Sequence, residues 1–114
     1  MSDTIVDNIV NSIAEISTNN IWRIRFLFLD IIQLLLKKLN KKIIVKKIIE
    51  IVVNFAGDCV HKLRQESIKL TKKIFITTKS DILIEKIKSK ALELSLNGNY
   101  LFRIASIDLV MVNN

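Results

Sequence analysis

Three stretches decide the fold: Asn19-Asn20-Ile21-Trp22-Arg23-Ile24-Arg25, Asp58-Cys59-Val60-His61-Lys62-Leu63-Arg64 and Asn97-Gly98-Asn99-Tyr100-Leu101-Phe102-Arg103. Each opens on Asn or Asp, carries a ring at its fourth place and an apolar residue at its sixth, and closes on arginine. They are 39 residues apart (64 − 25 and 103 − 64), and three of the four arginines in the chain close them. The same shift aligns Leu29 with Ile68 and Ile107, and Ile31 with Leu70 and Leu109. It also aligns Ile9 with Ile48 and Ile87, and Ile13 with Val52 and Ala91. Asn19, Asp58 and Asn97 stand just ahead of a helical pattern, where an Asx oxygen can accept from orphan backbone N–H groups, so they read as caps.

Around these stretches the apolar period is helical throughout. One stripe runs over Ile5–Ile16 and the next follows Ile24, Phe28, Ile31 and Leu35. A third lies between Ile43 and Phe55, through Ile44, Ile48, Ile51 and Val52. Val60, Leu63, Ser67, Leu70 and Ile74 make a fourth, with a small serine inside it. The last two run over Ile82–Leu96 and Tyr100–Val112. The breaks hold polar and flexible residues, at 17–20, 39–42, 57–58, 77–80 and 97–99. Six helices joined by short turns are helical hairpins. A 39-residue helix–turn–helix repeat predicts an all-α, right-handed α-solenoid in one domain, 1–114, with repeats near 1–39, 40–78 and 79–114. The arginines at one fixed position predict a structural brace, within a helix or between repeats, with Asp30, Glu66 or Asp108 as candidate partners.

Composition narrows the rest. Half the residues are hydrophobic and a quarter charged, which excludes a disordered polyelectrolyte. Proline is absent and glycine is limited to Gly57 and Gly98, too little turn punctuation for a β-sandwich. The lone Cys59 allows no disulfide framework and fits a reducing compartment. Met1-Ser2-Asp3 leads into an acidic first helix, so no secretory signal is expected, and no apolar run reaches the length of a membrane span. Localisation is therefore expected to be cytoplasmic, with the nucleus also open. Net charge is +7, and the excess is lysine, densest at Lys37, Lys38, Lys41, Lys42, Lys46 and Lys47. Such a run can attract nucleic acid or an anionic membrane. Without interleaved aromatics, and with arginine scarce, it reads first as the solvated rims of helices.

No catalytic pattern emerges. There is no phosphate-binding glycine loop, paired-carboxylate cleft or nucleophile elbow. A lone His61 cannot make a zinc site, and Cys59 has no candidate base other than His61 two residues away, which argues against a Cys–His nucleophile. The expectation is a non-enzyme without cofactor or metal. Trp22, His61 and Tyr100 stand in the first turn of three helices, next to a loop, where side chains are often exposed. Trp, Tyr and Arg are enriched at interface hot spots. The alternative for Trp22 and Tyr100 is packing between repeats.

Trp22-Arg23-Ile24-Arg25, residues 57–66 (Gly-Asp-Cys-Val-His-Lys-Leu-Arg-Gln-Glu) and Asn99-Tyr100-Leu101-Phe102-Arg103 resemble successive inner helices of HEAT repeats. The likeness is to the C-terminal repeats of the scaffold (A) subunit of protein phosphatase 2A, in order and spacing, over about residues 19–112. The resemblance implies a non-catalytic scaffold whose intra-repeat ridge docks a phosphatase catalytic subunit through Trp22, Arg23, His61, Tyr100 and Arg103. Arg25, Arg64, Asn19, Asp58 and Asn97 would be structural repeat positions. His61 departs from the larger aromatic usual there, which weakens that contact. The family has many more repeats, so the surface for its regulatory subunits is expected to be missing. The alternative is a generic HEAT adaptor whose lysine-rich edge binds an acidic protein, nucleic acid or membrane surface. Open solenoid ends also predict self-association.

Overall fold

The computed structural model describes residues 3–113. Met1, Ser2 and Asn114 lie outside the described residues. The chain is all-α. Helix α1 is Asp3–Ile16 and α2 is Trp22–Leu35. Helix α3 is one rod over residues 41–54, with a π-helical stretch, Ile44–Ile48, between its α-helical parts and a 3-10 turn, Phe55–Gly57, behind it. Helices α4, α5 and α6 are His61–Thr78, Asp81–Ser95 and Tyr100–Val110; a final 3-10 turn spans Met111–Asn113.

Local chemistry sets the ends of these helices. The Asn40 Oδ1 accepts from the Ile43 N–H at 2.9 Å and starts α3; the Ser80 hydroxyl accepts from the Leu83 N–H and starts α5. The expected break at 77–80 shrinks to two residues. Helix α4 runs on through Thr78, whose hydroxyl bonds back to the Ile74 carbonyl, and stops at Lys79 in the left-handed region (φ 48°).

The π stretch departs from the simple helical period. Ile43-Ile44 and Ile48-Ile49 are two β-branched pairs five residues apart, and the Ile49 N–H bonds the Ile44 carbonyl in an i→i+5 turn. The extra residue per turn lets Ile44, Ile48 and Ile49 all reach the core. Ile49 was not among the stripe positions read from a 3.6-residue period.

Consecutive helices pack as pairs: α1 on α2, α3 on α4, and α5 on α6. Between pairs, α4 lies against α2 and α6, and α5 lies against α3. One apolar core runs through all of them, from Val10 and Phe28 to Leu83 and Leu109. The molecule measures 44 × 32 × 18 Å between Cα extremes, a thickness that suits two layers of helices. The aligned positions Ile13, Val52 and Ala91 are all buried, and α2, α4 and α6 begin at Trp22, His61 and Tyr100, 39 residues apart.

Candidate functional site

The three repeated stretches form three copies of one small hydrogen-bonded device. Asn19 Oδ1 accepts from the Ile21 N–H at 2.9 Å, Asp58 Oδ1 from Val60 at 2.9 Å, and Asn97 Oδ1 from Asn99 at 2.8 Å. These are Asx turns. The structure corrects the cap reading in one detail: each Asx oxygen takes the N–H of the residue that precedes the helix, not one inside the first turn. In α6 that next residue, Asn99, supplies a true cap to the Leu101 N–H.

The arginine seven places along closes each turn from the other side. Nη1 of Arg25 donates to the Asn19 carbonyl, Nη1 of Arg64 to that of Asp58, and Nη1 of Arg103 to that of Asn97, each at 2.9 Å. Arg25 and Arg103 also reach the next carbonyl, of Asn20 and Gly98. Each of these three arginines thus clamps its own loop across six residues. Ser67 and Ser106, again 39 apart, donate to the Arg64 and Arg103 carbonyls.

Arg25 does more. Its Nε and Nη2 form a bidentate pair with the two carboxylate oxygens of Asp58, at 3.0 and 3.1 Å, joining the first Asx loop to the second. The hydrogen bonds it donates to Asp58 hold the guanidinium above its ordinary pKa, against the opposing effect of burial. The acids expected as partners, Asp30, Glu66 and Asp108, are not the ones used: Glu66 bonds Lys69 one turn away, and the brace is made by an Asx residue of the next loop. Arg64 is buried and lies over the Phe102 ring at 5.0 Å; Lys62 lies over Phe26 at 5.6 Å. These contacts set the starts of α2, α4 and α6 next to one another, so the three helices point the same way.

The expected docking residues fall on that edge. Trp22 is half-buried against the core, with the Arg23 guanidinium 5.4 Å from its ring centroid. Arg23, His61, Tyr100 and Arg103 are exposed. His61 Nδ1 is 3.5 Å from Arg64 Nη2. Arg103 is tied down by its loop clamp, which gives it a structural task beside any contact with a partner. Cys59 is exposed beside the brace. Among the described residues no three His, Cys, Asp or Glu side chains cluster as metal ligands.

Below the rim a groove of about 350 Å³ runs between α4 and α6, lined by His61, Gln65, Ile68, Leu101, Ile104 and Asp108 among others. Sequence reading missed it. The signal was present in α6, which is apolar almost all round (Leu101, Phe102, Ile104, Ala105, Ile107, Leu109, Val110), more than one core face can absorb. The expected lysine run forms a separate region: Lys37, Lys38, Lys41, Lys42 and Lys46 are exposed around the turn between α2 and α3. Lys47 bends back to Asn11 and Asp7 on α1. No helix among the described residues is long and apolar enough to cross a membrane. In comparison with known proteins, no family model matches the chain and no curated protein is similar to it.

Proposed function

We propose that the chain is a non-catalytic scaffold: a short right-handed α-solenoid of HEAT type, about three repeats long, that holds a protein partner along the rim where α2, α4 and α6 begin. The observation that carries this is the placement of Trp22, His61 and Tyr100 at the first position of three adjacent helices. Each is anchored by its own Asx–arginine clamp. A partner meeting this edge meets rings and guanidinium groups presented at equal steps by a pre-organised backbone, so little ordering entropy is lost on binding. The resemblance to the phosphatase 2A scaffold names the partner class, a serine/threonine phosphatase catalytic subunit, with Trp22, Arg23, His61, Tyr100 and Arg103 as contacts. The scaffold acts passively by fixing where the catalytic subunit faces.

The test is a binding titration of the purified chain with a phosphatase 2A-type catalytic subunit. Tyr100 is exposed, so Tyr100→Ala should weaken binding roughly tenfold or more, as expected for loss of an aromatic hot spot, while leaving the thermal midpoint unchanged. Unchanged affinity in both Tyr100→Ala and Trp22→Ala contradicts the rim. The exposed lysines favour the second reading, an adaptor for an acidic surface. That reading requires affinity that falls steeply with salt and survives loss of both rings.

A further inference from the structure

The 39-residue register lets each helix pair be compared with the other two, position by position. On α2, α4 and α6 the matched residues Ile32, Thr71 and Val110 are buried, buried and 48 % exposed. On the outer helices Val53 is buried in the second pair, but its counterpart Leu92 in the third is 64 % exposed. Arg64 is buried, and its counterpart Arg103 is exposed. Their counterparts Ala14 and Arg25 in the first pair are half-buried, so these positions are buried or half-buried wherever another pair follows and exposed in the last pair. The opposite end shows the converse. Ile48 and Ile87 are fully or almost fully buried, while their counterpart Ile9 in the first pair is 40 % exposed; Ile44 and Leu83 are buried and Ile5 is exposed. Those positions are covered wherever another pair precedes.

The two open faces are therefore the two halves of an interface that the chain already builds twice. Within the molecule the first pair meets the second through α2 on α4, and the second meets the third through α3 on α5 and α4 on α6; Ile32, Val53 and Thr71 on one side, and Ile44, Ile48, Leu83 and Ile87 on the other, are buried there. On the last pair the receiving face holds a groove of about 400 Å³ between α5 and α6, lined by Leu92, Ser95, Ile107 and Val110. The occupant with a matching face is a second copy of this chain, which offers Ile9 where the internal interfaces offer Ile48 and Ile87. We infer that the protein associates head to tail, the α1 face of one copy seated on the α5–α6 face of another. Such contacts are heterologous, so each copy keeps one free end and association continues until a ring closes. This inference rests on the helix pairs alone and stands whether or not a phosphatase binds the rim.

Sedimentation equilibrium across a concentration series tests it. The mass of the native chain should rise with concentration above the 13.1 kDa of one copy. Ile9→Lys and Val110→Lys each disable one half of the contact at an exposed position and should each sediment as folded monomers by circular dichroism. Mixed in equal amounts, they should form a species of two chains and nothing larger, because the intact face of each variant meets the intact face of the other. A native chain that stays at one copy throughout overturns the inference. So does an Ile9→Lys variant that still pairs with itself, which would mean tail-to-tail contact.

Discussion

Asp58 serves four groups at once. Its carboxylate takes Nε and Nη2 of Arg25 and the Val60 N–H, and its carbonyl takes Nη1 of Arg64. Replacing it by alanine leaves a mostly buried guanidinium without its carboxylate and opens the Asx turn. Asp58→Ala should cost about 2–3 kcal/mol of unfolding free energy in a urea titration. Asp58→Asn keeps an acceptor for Val60 and should cost less than half as much. Equal losses in the two variants would mean that the charge carries the whole effect and the acceptor for Val60 contributes nothing. The raised pKa of Arg25 means its share of stability is complete below the ordinary arginine value and fades only as pH climbs through the higher folded one. The Asx and arginine positions were legible in the sequence because the clamp is local, spanning two and six residues. The Arg25–Asp58 pair was not. It spans 33 residues, and the sequence offers no rule for which acid lies across a packed interface.

At the scale of the element, two backbone features decide how helices end and approach. Lys79 adopts a left-handed conformation that a side chain disfavours, and its N–H bonds the Phe75 carbonyl at 2.7 Å to finish α4. Lys79→Gly should raise stability by about 1 kcal/mol, read as a higher urea midpoint. Gly57 is different: its conformation is open to any residue, but a Cβ there would sit 3.1 Å from Lys90 Cε and 3.2 Å from Leu94 Cδ2 on α5. Its register counterpart is the exposed Leu96. Gly57→Leu should therefore push α5 off the end of α3 and cost about 1–3 kcal/mol, whereas Leu96→Gly should leave packing intact. The helices themselves were legible because apolar residues recur at three and four. The π turn was not, because two isoleucine pairs five apart also fit a wider α-helical stripe.

At the scale of the molecule, the repeat is the feature that organises everything else. Three ungapped copies share their clamps, the starts of α2, α4 and α6 and their buried centres, and differ in the exposure of the first and last helix pairs. Burial at Ile9 and Val110 could not be read from period alone, since their counterparts are core residues; only the number of neighbours distinguishes them. The same repeat places the rim, and the placement can be measured without any partner. With Cys59→Ser as background, spin labels at Arg23→Cys, Lys62→Cys and Leu101→Cys occupy three exposed positions 39 residues apart, each one step past a helix start. Adjacent helix axes lie about 10 Å apart, so the account predicts two short separations of about 10 Å (23 to 62 and 62 to 101) and one of roughly twice that between 23 and 101. A 23-to-101 separation near the full 44 Å length of the molecule, or unequal steps, would contradict a common rim and the docking role built on it.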